Sequence, residues 1–190
     1  MIPDIILIGP IGTGKSTLGK LLSLSLEVPQ VSMDDVRLIY YEQIGFDLDL
    51  AKRIKVEKGF LKLYQYWKPF EAYAVERLLA EHRHCVIDFG AGHSVFEDDL
   101  LFARVHRVLQ PYCNVVLILP SPDLDESVRI LKERGGEHED NGLDFVEHFV
   151  KHHSNHDLAK IVVYTKDKTP EQTHDEIIRA TSNNHYHSNV

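Results

Sequence analysis

The stretch Ile5-Ile6-Leu7-Ile8-Gly9-Pro10-Ile11-Gly12-Thr13-Gly14-Lys15-Ser16-Thr17 sets the fold. Its first part is an unbroken apolar run, the pattern of a strand covered on both faces. Residues 9–16 match the phosphate-binding pattern G-x-x-x-x-G-K-[ST] at every position. Glycine permits the tight turns that aim successive backbone N–H groups at one anion. Lys15 supplies a point charge for the outer phosphates, and Ser16 a hydroxyl for Mg2+. The spacing of Leu18, Leu21, Leu22 and Leu26 predicts an amphipathic helix over 15–26, whose positive end faces the anion. A chance glycine-rich turn would need neither the strand before it nor the helix behind it. The stretch therefore predicts binding of a nucleoside triphosphate through Gly9, Ile11, Gly12, Thr13, Gly14, Lys15, Ser16 and Thr17. It leaves the phosphoryl acceptor open.

Outward from this loop the same alternation repeats. Short runs rich in Ile, Val and Leu at 4–8, 30–33, 85–88, 114–119 and 160–164 predict strands. Helical spacing predicts helices at 15–26, 34–44, 50–80 in two pieces parted at Pro69, 98–110, 124–134, 143–153 and 170–181. Strands alternating with helices imply an α/β fold on a parallel sheet, with a helix layer on each face. The 190 residues are 43% hydrophobic and 26% charged, enough for one cored domain, placed here at 1–181. The polar stretch 182–190 carries no pattern and reads as a disordered tail. A net charge of −8 argues against a protein that lives on a nucleic-acid backbone. No apolar run reaches the length of a membrane span, and the first one lacks the basic lead of a signal peptide. Cys85 and Cys113 fall in separate strand-like runs, which predicts reduced thiols and a cytoplasmic protein.

In a parallel sheet the carboxyl ends of the strands share one edge, so chemistry-bearing residues there converge. The second strand ends in Ser32-Met33-Asp34-Asp35-Val36-Arg37. A carboxylate here can accept the proton of an attacking hydroxyl or hold Mg2+ through water. An Asp at a helix start also caps. One of the pair is expected to cap and the other to work, with Asp34 preferred for the work. The third strand ends in Asp88-Phe89-Gly90-Ala91-Gly92-His93. Its small residues allow close approach to a ligand, Asp88 offers a partner for Mg2+, and His93 is placed to meet an acceptor.

With these pieces in place the chain resembles the shikimate kinase family of nucleoside-monophosphate-kinase-like P-loop kinases, over residues 5–178. The resemblance rests on the loop at 9–17, Asp34, the turn after strand three, and Lys168-Thr169-Pro170-Glu171. It implies a three-layer fold with a five-stranded parallel sheet in order 2-3-1-4-5, Mg-ATP as donor and a hydroxyl acceptor. It also implies a lid at about 122–142 and acceptor-binding helices at about 35–80. Asp34 matches the family's acceptor-contacting Asp, Arg134 its adenine-side arginine, and Lys168 and Pro170 its adenine-binding turn. The departures are specific. Ser32 stands where the family has a first Asp, and Ala91 replaces a middle glycine. Lys68, within Trp67-Lys68-Pro69-Phe70-Glu71, and Lys151 stand where two arginines grip the shikimate carboxylate. Lysine does not reproduce a bidentate arginine, so the expected acceptor is a small, anionic hydroxyl compound other than shikimate. The family's lid arginine would fall near Asp140-Asn141 and is absent, with Arg129 the available substitute.

Charge is uneven along the chain. Residues 52–68 carry six basic side chains against Glu57 alone, while 120–150 carry nine acidic against three basic. Lys52, Arg53 and Lys55 read as a solvated helix face, Lys58 and Lys68 as acceptor-side cations. His148, His152 and His156 recur at helical spacing, which can build a zinc site, but no motif places an acidic or cysteine partner. They read as a polar face. The leading expectation is thus an ATP- and Mg2+-dependent small-molecule kinase: Lys15, Asp34 and Arg134 catalytic; Ser16, Asp34 and Asp88 toward the metal; Arg37, Lys68, Gly90, Ala91, Gly92, His93 and Lys151 around the acceptor. Ser-Met-Asp-Asp-Val-Arg also resembles the acceptor strand of 5′-hydroxyl polynucleotide kinases, with Arg37 holding a phosphate. A nucleotide-binding switch without catalysis is the third reading. No heptad seam announces self-assembly.

Overall fold

The computed structural model describes residues 4–135, 139–140 and 143–187. In chain order the elements are β1 (Ile5–Ile8), α1 (Lys15–Leu26), β2 (Gln30–Ser32), α2 (Met33–Gln43), α3 (Leu48–Lys58), α4 (Phe60–Glu81) and β3 (Val86–Asp88). A 3-10 turn (Ala91–Ser94) leads to α5 (Asp99–Leu109), β4 (Val115–Leu119), α6 (Leu124–Glu133), β5 (Glu139–Asp140) and β6 (Leu143–Asp144). The chain continues through α7 (Phe145–Lys151), α8 (His153–Leu158), β7 (Ile161–Tyr164) and α9 (Pro170–His187).

Period-two alternation in β1 divides the core in two. Ile5 and Leu7 pack with Leu18 and Leu22 of α1 and Ile177 of α9. Ile6 and Ile8 face the other way, onto Val75 and Leu78 of α4 and Val105 and Leu109 of α5. β1 can serve both layers because it lies in the middle of the sheet, where successive side chains point to opposite covered faces. All four of its residues are buried, each side chain worth about 1.5–3 kcal/mol when taken from water.

The sheet is parallel, in spatial order β2-β3-β1-β4-β7, with Ile6 opposite Ile87 on one side and Val115 on the other. The expected order 2-3-1-4-5 differs in its last place. Two short strands that hydropathy did not show, β5 and β6, form a separate antiparallel pair and intervene before the edge strand. At two residues each they are too short to leave an apolar signature.

Three boundary expectations also change. The long helical region parts at Gly59, whose φ of 84° ends α3 and opens α4, while Pro69 lies inside a continuous α4. The buried face of α4, from Leu63 to Leu79, outweighs the one backbone bond that proline removes. The helix expected at 143–153 is two, α7 and α8, with His152 between them in extended conformation. Residues 182–187, expected to be a disordered tail, continue α9. Parts of the expected lid, including Glu137, His138 and Asn141, lie outside the described residues.

Candidate active site

The loop after β1 turns through Gly12 and Gly14 at φ 78° and 87°, conformations that a side chain resists. Lys15 folds back over it, donating from Nζ to the carbonyls of Gly9 at 2.8 Å and Pro10 at 2.7 Å. Burial lowers the pKa of Lys15 to about 8, against the opposing pull of the Asp34 and Asp88 carboxylates. No acidic residue enters the first turn of α1, so its N–H groups keep their positive end for an anion.

Register between β2 and β3 sets Ser32 opposite Asp88. Asp88 Oδ2 accepts from Ser16 Oγ at 2.8 Å and from Ser32 Oγ at 3.1 Å, and Oδ1 accepts from Gln30 Nε2 at 3.0 Å. Ser32, where the resemblance calls for an Asp, therefore supports a carboxylate instead of supplying one. Ser16 Oγ and the Asp88 carboxylate, bonded to one another, are hard oxygens of the kind that suit Mg2+.

Asp34 and Asp35 share the first turn of α2, whose N-cap Ser32 makes no side-chain cap bond. The pair does not divide as expected into a cap and a worker. Asp34 lies on the wall of a cavity of about 730 Å3 that Lys15, Ser16 and Gly12 also line. Arg37, one helical turn on, brings Nε within 3.8 Å of Asp34 Oδ1 and its guanidinium carbon to 5.8 Å from the centre of the Trp67 ring. Opposite them is the turn at 90–93. A Cβ on Gly90 would stand 2.7 Å from Asp34 Oδ1 and 2.9 Å from His93 Nδ1, and one on Gly92 would strike the Glu71 carboxylate. Ala91, between the two, lies on the cavity lining and packs against the cluster of Tyr64, Val95, Phe145 and Phe149. His93 is buried, with Nε2 3.0 Å from the Tyr41 hydroxyl. Burial, reinforced by the nearby Lys68 charge, pushes its pKa down to about 3.

Two expected acceptor-side cations are elsewhere. Lys68 is buried, donates to the carbonyls of Gly92 and Val95 at 2.9 Å each, and pairs with buried Glu71. It holds up the glycine turn from beneath and is not among the residues lining the cavity. Lys151 is on the outer side of α7, bonded to Asp125 at 2.7 Å and Glu147 at 2.6 Å, which raise its pKa. Lysine at either position finds a nearby carboxylate before it finds a ligand. Arg129 is likewise taken up by Glu126 and Glu133. Lys55, assigned to a solvated face, lines the cavity, and Lys58 is not among its lining residues.

The largest feature missed was aromatic. Phe60, Tyr64 and Trp67, with Glu71, form one face of α4, and Phe145 and Phe149 close the cavity from α7. Spacings of four, three and four along α4 were legible as a helical stripe, but a stripe alone does not say whether it faces core or ligand. On the far side of the loop, Arg134, Lys168 and Pro170 do come together. With Gly12, Thr17 and Thr165 they line a second cavity of about 270 Å3, Arg134 Nη1 lying 3.4 Å from Gly12 O.

The sheet order and the loop define a P-loop kinase fold, with the glycine-rich loop between two cavities. Among such kinases the likeness is to shikimate kinases. Over 89 residues the chain is 34% identical to the shikimate kinase of Francisella tularensis, a match covering 47% of this chain and 45% of the relative. The chain thus spans about half the length of the curated relatives it matches. A solved shikimate kinase from Acinetobacter baumannii, in complex with shikimate, superposes with a TM-score of 0.65 at 18% identity, over 97% of this chain and 95% of that one. A gluconokinase from Sinorhizobium meliloti does so at 0.53 and 11% identity, over 98% of both. No protein-family model matches the chain.

Proposed function

We propose that the chain is a phosphotransferase that moves the γ-phosphoryl group of ATP to a hydroxyl of a small molecule held in the aromatic cavity. One observation carries this reading: Asp34 stands on the wall of the same cavity of about 730 Å3 that Lys15 and Ser16 line. A base and a phosphate cradle sharing one cavity is what in-line transfer to a hydroxyl requires. The loop amides and Lys15 bind the triphosphate. Ser16, with Asp34 and Asp88, would hold Mg2+, which would supply neutralisation of phosphate charge. Asp34 orients the acceptor hydroxyl and accepts its proton. Arg134, Lys168 and Pro170 take the adenine side.

The acceptor on this reading presents a ring face to Trp67 and Phe60 and an anionic group to Arg37 and Lys55. On this reading it is a compound other than shikimate. In support, Lys68 and Lys151 are engaged by Glu71, Asp125 and Glu147, so neither is left to grip a carboxylate. A nucleoside-like acceptor falls within the same class, because bases stack on aromatic faces. The deciding measurement is ADP formation over a panel of ring alcohols, nucleosides, gluconate and shikimate. Stimulation by a ring-bearing acceptor supports the proposal. Stimulation by shikimate alone overturns the acceptor assignment, and tight ATP binding with no stimulation by any acceptor favours the non-catalytic switch.

A further inference from the structure

Away from the phosphate site, the structure supplies the acidic partner that the histidine spacing lacked. Glu97, just beyond the 3-10 turn, meets His148 of α7 and His152 at the α7–α8 junction, one donor atom from each lying within 4.8 Å of the others. We propose that these three side chains form a Zn2+ site, with water as fourth ligand.

The donors arrive from two separate segments. Glu97 Oε1 lies 2.7 Å from His148 Nε2 and accepts the Tyr64 hydroxyl at 2.7 Å. The His148 and His152 rings are 5.2 Å apart between centroids, on successive turns. Two nitrogens and a carboxylate oxygen on three protein ligands, with one position open, suit Zn2+. Ligand atoms about 2.1 Å from a tetrahedral ion stand about 3.4 Å apart, so the triad closes on an ion by small side-chain rotations. His152 Nδ1 now accepts from Ser154 N at 3.2 Å, a long bond that ligation through Nε2 would release by fixing the other tautomer. Lys68, the buried cation whose charge bears on His152, is paired with Glu71. A solvent-open cavity of about 390 Å3, lined by Glu97 and His148, gives the fourth ligand its entry.

The ion would join the segment after the glycine turn to α7, the helix carrying Phe145 and Phe149 into the aromatic cavity. The site stands independently of the kinase reading.

The test is Zn2+ alone, titrated calorimetrically into the metal-stripped full chain, with Co2+ absorption reporting tetrahedral geometry. We expect one equivalent to bind, a higher Tm with Zn2+, and loss of affinity by at least about tenfold in both Glu97→Gln and His152→Gln. Binding absent, or equally tight in both variants, overturns the proposal and assigns any residual binding to the chain's other histidines. His152→Gln keeps the test decisive if Glu97→Gln, which also removes the charge beside His148, fails to fold.

Discussion

At the scale of single residues, the site turns on which charges are already satisfied. Asp34 is exposed on the cavity wall, with Arg37 as its ion-pair partner, so Asp34→Asn should lower acceptor-dependent turnover by about 10²–10⁴-fold, the usual worth of a positioned base. Equal turnover in the variant would remove Asp34 from the chemistry. Lys68 and Glu71 behave differently because both are buried. Lys68→Met alone should destabilise the protein by about 3–5 kcal/mol, since it strands the Glu71 carboxylate. The double variant Lys68→Met/Glu71→Leu should recover part of that loss, as urea midpoints would show. Motif matching found Lys68 but not its role, because sequence position does not reveal that Glu71, three residues on, turns inward beside it.

At the scale of elements, local chemistry explains most boundaries. Asp47, Asp98, Asp123 and Asp144 cap α3, α5, α6 and α7 through side-chain oxygens. Asp98→Ala should cost about 1 kcal/mol, read as a lower thermal midpoint with the site unchanged. A loss near zero would mean that water replaces the cap. Helix α4 shows the limit of local rules. Its proline should have stopped it, yet its apolar face has a whole sheet to cover, and the break falls at Gly59. The same helix presents Trp67 to the cavity. Because Trp67 is the sole tryptophan, acceptor binding should change the intrinsic fluorescence, and Trp67→Ala should raise the acceptor KM with little effect on ATP affinity. An acceptor that is turned over without changing that fluorescence would place the ring elsewhere.

At the scale of the whole molecule, buried titratable groups set the response to pH. His93 ionises near 6.5 when unfolded and only near 3 when folded. Between those values the unfolded state takes up the proton, so His93 makes stability fall as pH drops below 6.5, by about 1.4 kcal/mol per pH unit. His93→Gln should flatten the acid limb of the stability curve between pH 6.5 and pH 4. An unchanged limb would mean that the ring gains a proton without unfolding. No helix among the described residues is long and apolar enough to cross a membrane.

The sequence by itself determined the sheet's parallel character, the glycine-rich loop after β1 and the strand edge that carries Asp34 and Asp88. Each follows from local spacing or from the rule that parallel strands end together. Only the tertiary structure decided which charges are free. It turned Lys68 inward to Glu71, engaged Lys151 with Asp125, set Lys55 on the cavity wall, and made an aromatic stripe part of that cavity's lining. Those outcomes depend on neighbours distant in sequence, Gly92 above Lys68 and α7 across from α4. A carboxylate that lies within reach after folding leaves no mark on the spacing of the residues that meet it.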